Sequence, residues 1–135
     1  EELGPSGVQA DLVGDALGPV NDRLLGYAEA TGWGQVQVRQ DVGVTYSGRG
    51  YRLCSESERW RAAAMLHAAV AQVSGVNLVV LDRLDVLEPA QRGPALDWIE
   101  GLAGSGCQVI AFATLKAKPD LGPKVSSLWM EKGAI

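Results

Sequence analysis

The chain is poor in several residue types, and each shortage narrows what it can be. Its 135 residues include one phenylalanine, one histidine and two cysteines. His67 has no partner at metal-ligand spacing, and Cys54 and Cys107 form no CxxC pair, so the pattern argues against a structural zinc site. The two thiols are expected to be free in a reducing cytoplasm, because EELGPSG at the start has neither the basic nor the apolar part of a secretion signal. No apolar run approaches the ~20 residues that cross a bilayer, so no membrane partner is expected. Positive charge is also in short supply. Lys and Arg number 12 against 16 Asp and Glu, a net charge of −4, and the pI is about 4.9. That excludes a free-standing domain gripping nucleic acid through a broad basic face, though not a small patch or contact with DNA through a partner.

What is present suits one folded unit. Hydrophobic residues make up 47 % and charged ones 21 %, enough to bury a core and too few charges for a disordered chain. Residues 1–7, with Gly4-Pro5-Ser6-Gly7, read as a tail or linker. From Val8 the residues Leu12, Val13, Leu17, Val20, Leu24, Leu25 and Ala28 recur at helical spacing, with Pro19 either kinking one helix or starting a second, and Gly32 as the stop. This helical arm covers 8–34. Over 35–53, Val36 and Val38, then Val42, Val44 and Tyr46, alternate with polar residues. Gly48-Arg49-Gly50 is a turn, and the stretch predicts an antiparallel meander with one wet face.

Residues 54–135 predict the α/β part. Ser55 followed by Glu58 is a capping box, so a helix begins after Ser55 and runs to about Ser74. Leu78-Val79-Val80-Leu81 is a continuous apolar run that suits a parallel strand buried on both faces. A helix opens at Pro89. Cys107–Ala113 is a second buried strand, Lys116–Lys124 a wet loop, and Val125–Met130 a last strand. Trp33, Trp60, Trp98 and Trp129 are expected to be packing anchors, since basic residues do not interleave with them.

Two motifs carry chemistry. Asp82 ends an apolar strand, where an acid points into the crevice that binds ligands in parallel sheets. The plain alternative is a turn or capping Asp. CSESER opens a helix, where a serine hydroxyl and unpaired backbone N–H groups make an anion site. The plain alternative is an ordinary capping box. Arg49, Arg52, Arg59 and Arg61 form the main basic cluster, either solvated or facing phosphates.

In this order and spacing, the two motifs resemble the second half of an ABC-type ATPase head, most closely the SMC, RecF and RecN group of DNA-repair proteins. The resemblance spans about Val36 to Ile135. CSESER stands where that family has LSGGE and a basic residue. Ser55 matches the serine, Ser57 the second glycine, Glu58 the acid and Arg59 the basic residue. Leu78–Asp82 matches Walker B, Leu84–Leu87 the D-loop, and Gln108–Thr114 the strand ending in the switch histidine. The resemblance implies half of a P-loop head, acting in DNA repair, recombination or chromosome organisation. Its cofactors would be ATP and magnesium. Asp82 would hold magnesium in cis, while Ser55, Ser57, Glu58 and Arg59 would cap the nucleotide of a second head copy in trans. The implied partners are a Walker A half of the same head, that second copy in a homodimer, DNA and a nuclease subunit. The implied location is cytoplasmic, at the nucleoid, and the helical arm would be the return of a coiled coil.

Three departures matter. The chain contains no G-x-x-x-x-G-K-[ST], so it is expected to be a fragment or one partner of a split head. Arg83 occupies the place of the acid that orients the attacking water, and an arginine accepts no proton. Asp85 or Glu88 then substitutes, or hydrolysis is slow or lost. Thr114 replaces the switch histidine, with a hydroxyl able to reach a phosphate. The rival readings are a non-hydrolysing docking module and an unrelated α/β domain.

Overall fold

The computed structural model describes residues 5–135, with side chains from Asp15 onward. It is a small α/β unit of three helices, a three-stranded antiparallel sheet and a two-stranded parallel one.

Helix α1 covers Pro5–Thr31. Pro19 neither ends nor divides it. The helix starts three residues before Val8, so Pro5, Ser6 and Gly7 belong to it rather than to a tail; the expected contributions of Val8, Leu12 and Val13 fall on side chains outside the described ones. Val20, Leu24, Tyr27 and Ala28 form its buried stripe, at the three-and-four spacing of one helix face. Gly32 closes it at φ 68°, its N–H donating to the Ala28 carbonyl at 3.0 Å, a left-handed stop that glycine adopts without strain.

Strands β1 (Val36–Val38), β2 (Val44–Tyr46) and β3 (Arg49–Gly50) form the expected meander, with Val36 opposite Tyr46. Arg49 and Gly50 lie in β3 and pair with Tyr46 and Thr45, so the turn is Ser47-Gly48. Asn21 of α1 caps β1, its amide donating to the Val38 carbonyl at 3.0 Å and accepting from the Val38 N–H at 2.9 Å. Gly34 must be glycine here, because a Cβ would come within 2.2 Å of the Ser47 hydroxyl and 2.5 Å of the Tyr46 ring.

Helix α2 (Glu56–Ser74) lies at the centre. Its buried residues are Ala62, Ala64, Met65, Ala68, Ala69 and Ala71. Five alanines let α1, β1, β2 and β4 approach it closely, and they cost little side-chain entropy. Parallel strands β4 (Leu78–Leu81) and β5 (Gln108–Ala111) follow, with Val79 opposite Val109, joined by α3 (Pro89–Gly104). Trp98 of α3 meets Tyr27 and Trp33 edge-on at 5.4 and 5.7 Å between ring centres, so Trp33 and Trp98 are core packing residues.

Three further expectations of the sequence fail. Leu78–Leu81 is covered on one face only: Val79 and Leu81 are buried, whereas Leu78, Val80, Ile110 and Phe112 remain 40–55 % exposed. The second strand is shorter than Cys107–Ala113. Val125–Met130 is not a strand, because no ladder partner lies beside it. Past it, Glu131 and Ala134 form a single bridge around Lys132-Gly133, both with positive φ. The parallel pair also has two open edges. Gln108 and Phe112 N–H groups donate to Asn77 and Leu81 carbonyls, so the alternate groups of Val109, Ala111 and Ala113 face away from β4. Among the described residues no backbone partner meets them.

Candidate functional site

The residues singled out in the sequence come from three places in the chain, and the fold brings most of them to the exit end of β4 and β5. Ser55 is the N-cap of α2, in extended backbone with φ −64° and ψ 166°. Its hydroxyl accepts from the Glu58 N–H at 3.2 Å, and Glu58 in return accepts from the Ser55 N–H at 2.8 Å. The capping box thus forms as the sequence predicts. Arg49 of β3 pairs with the other oxygen of Glu58. The Ser55 N–H first, and Arg49 second, hold the Glu58 carboxyl below its ordinary range. Ser57 sits in the first turn, its hydroxyl oxygen shielded from solvent and without a hydrogen-bond partner. Arg59 is exposed, and among the described residues it has no ion-pair partner.

Asp82 follows β4 and is exposed. One of its carboxylate oxygens accepts from the Arg83 N–H at 2.8 Å, which leaves the other open. Arg83 is left-handed at φ 56°, ψ 45°, and its guanidinium reaches back to Glu56 at 3.0 Å. Trp60 of α2 donates its indole N–H to the Asp82 carbonyl at 2.7 Å. A short 3₁₀ turn, Leu84–Val86, comes next. There Asp85 accepts from the Thr114 N–H at 3.0 Å, so these two expected site residues do meet, across the exits of β4 and β5. That N–H is the main cause of a carboxyl held below its ordinary range, with smaller help from Arg83 and Arg92. Glu88 stands apart. It is the exposed N-cap residue of α3, with no side-chain cap bond, and no hydrogen bond joins its carboxylate to Asp82, Asp85 or Thr114.

No protein-family model matches the chain, and no curated protein matches it in sequence. The site must therefore be read from its own geometry. Among the described residues no group of three or more His, Cys, Asp or Glu side chains could hold a metal ion. A lone open carboxylate such as Asp82 still suits magnesium, which takes one or two protein carboxylates and completes its shell with water and phosphate oxygens. His67 is exposed on α2 with no partner role here. Both cysteines are free and buried, and burial pushes the Cys107 thiol up. No helix among the described residues is long and apolar enough to cross a membrane.

The basic cluster disperses in three dimensions. Arg49 is spent on Glu58. Arg61 lies over the Tyr46 and Trp33 rings at 5.4 and 5.9 Å, a cation–π arrangement that also covers core aromatics. Arg52 and Arg59 alone stay open. The sequence did not reveal the Trp60–Asp82 bond, the Arg83–Glu56 pair, or the brace formed by Arg92, which donates to the Leu87 and Asp85 carbonyls at 3.0 and 3.2 Å. All are contacts of specific geometry on residues that by type alone suggest packing or solvated charge.

The Asp85–Thr114 bond predicts a pH response. A carboxylate whose folded pKa is depressed contributes stability that is fully present above the ordinary range near ~4, and that is lost as pH falls through the lower folded value. The Thr114 amide is expected to keep one chemical shift and a constant protection relative to the intrinsic exchange rate from pH 8 to about 5. Below about 4 it should shift and lose that protection, and Asp85→Asn should abolish the transition. A Thr114 amide insensitive to acid would show that the bond does not form in solution.

Proposed function

We propose that this chain is the C-terminal lobe of an ABC-type ATPase head of the SMC, RecF and RecN kind, acting in DNA repair, recombination or chromosome organisation. The carrying observation is a juxtaposition. A serine-capped helix start, a strand-end aspartate and a second aspartate tied to Thr114 gather at one end of a parallel pair. The open outer face and edges of that pair support the view that more sheet belongs beside it, since parallel sheets are normally covered on both faces.

In this reading the open Asp82 oxygen takes magnesium, which neutralises charge on the phosphates of ATP. Ser55 and the first-turn amides face the nucleotide of a second head copy, where a helix N-terminus favours an anion, with Glu58 and Arg59 beside them and the shielded Ser57 hydroxyl turning outward to join them. The Thr114 hydroxyl supplies a hydrogen bond at the β5 exit. The missing phosphate loop comes from a Walker A half, whose strand lies against β5. DNA and a nuclease subunit are the proposed partners of the full assembly.

Turnover is the part of the reading that the site favours least. Arg83 accepts no proton, and its charge is directed to Glu56. Asp85 is already bonded to the Thr114 amide and held in its weakly basic form. Glu88 remains as the free carboxylate for water, at the start of α3. These observations favour, as a second reading, a head that binds ATP and hydrolyses it slowly or not at all.

The deciding experiment is to sequence the natural gene upstream of the Glu1 codon and assay nucleotide binding by the product. The expected result is a G-x-x-x-x-G-K-[ST] loop ahead of a helical insertion, and magnesium-dependent binding of ATP by the assembled head. A natural protein that begins near Glu1, with no partner supplying that loop, would refute the proposal and leave a docking module.

A further inference from the structure

The turn after β4 is fastened from two sides. Trp60, in the second turn of α2, donates to the Asp82 carbonyl at 2.7 Å. Glu56, one turn earlier, holds the Arg83 guanidinium at 3.0 Å. On the far side the Leu84 N–H donates to the Phe112 carbonyl at 2.9 Å, and the Thr114 N–H donates to Asp85 at 3.0 Å. Between these fastenings Arg83 adopts a left-handed backbone, which non-glycine residues take up only when their surroundings impose it.

The two links from α2 differ in kind. Glu56 and Arg83 are long, exposed side chains, 65 % and 63 % accessible, and such pairs are screened and loosely ordered. Trp60 is partly buried against the core, so its ring has little freedom and its N–H is aimed. We propose that Trp60 is a positioning residue that makes the first two turns of α2 and the Asp82–Asp85 turn one mechanical unit. Movement at Ser55 is passed through the indole to Asp82 and Asp85, and through Asp85 to Thr114. The functional meaning rests on the ATPase reading above: contact of Ser55 with a nucleotide on the opposite head is felt at the metal-side acid of its own head, which couples the two nucleotides of the dimer.

The link itself is testable on the 135-residue chain without any nucleotide, by amide hydrogen exchange and chemical shift. Ser55→Ala removes the cap acceptor and loosens the start of α2, a loss expected to speed exchange at Glu58 and Arg59 by roughly three- to ten-fold. The expected result is a comparable speeding at Leu84 and Thr114. In a Trp60→Phe background the response at Leu84 and Thr114 should fall below about twofold, while that at Glu58 and Arg59 persists. Should Trp60→Phe fold poorly, replacing the indole by its isostere benzothiophene removes the donor and keeps the packing, and should give the same uncoupling. Leu84 and Thr114 responding equally with and without the indole N–H, or not responding in the parent chain, would overturn the link. Failure of the full-length protein to bind ATP, with the exchange coupling intact, would overturn only the functional reading.

Discussion

Replacing Ser55 with arginine is expected to lower ATP turnover by the assembled head at least ~100-fold, the scale seen when one preorganised donor to a reacting group is lost. The ATPase reading gives the side chain two duties with very different magnitudes. As a cap, its hydroxyl accepts one backbone N–H, and losing that costs about 1 kcal/mol. That shifts the melting temperature of a domain this size by only about 3–5 °C. As the proposed ligand in trans, it would face the phosphate bound by the partner head, and a long arginine side chain would exclude that approach sterically. Turnover and stability should therefore separate, with the first nearly abolished and the second slightly reduced. Ser55→Ala should share the stability loss and keep more of the turnover. The check is a steady-state phosphate-release assay beside a thermal melt. Turnover within about twofold of the parent for Ser55→Arg would leave the helix start as a cap alone and overturn the role of Ser55 in trans.

The second large effect concerns α1. Leu24→Ala is expected to destabilise the chain by about 2–5 kcal/mol, because Leu24 is completely buried and its removal leaves a cavity among packed neighbours. The neighbouring Leu25, 44 % exposed, should tolerate alanine within about 0.5–1 kcal/mol. Against a total stability of order 5–15 kcal/mol, the first change is a substantial share. The contrast decides what the helix is. If the segment over 8–34 were an arm resting lightly on the lobe, the two substitutions would cost about the same. A large difference in urea midpoints makes the second half of α1 part of the core. A loss below about 1 kcal/mol for Leu24→Ala would mean that α1 does not dock as described.

Much of the local structure was legible in the residues. Ser55 and Glu58 announce a helix start because each can satisfy the other's backbone N–H across three residues. Gly32 marks a helix end because the left-handed conformation is free of strain for glycine, and it takes φ 68° in that role. Two apolar runs separated by a helix imply a parallel pair, because such strands need a crossover between them. Pro19 is a case where a real signal was outweighed. It removes one N–H from α1, yet the stripe of Val20, Leu24, Tyr27 and Ala28 packed on α2 keeps the helix continuous.

The candidate site was legible only in part. Ser55 and Asp82 were singled out from type and spacing, Asp85 and Thr114 through the family resemblance, and the structure places them at related strand and helix ends. Glu88 was expected to share their work and stands separately at the start of α3. Trp60 and the partners of Arg49, Arg61 and Arg83 were not found, because each pairing is set by which surfaces face one another.

Composition, charge and short-range pattern were thus enough to establish an α/β chain, the start of α2, the stop of α1 and Asp82 as a strand-end acid, since these depend on interactions among residues a few positions apart. Which face of β4 is covered, why Val125–Met130 forms no ladder, and how Trp60 comes to hold Asp82 across 22 residues of chain were decided in three dimensions. A strand is defined by its partner, and burial by whatever packs above it. Neither is a property of the strand's own residues.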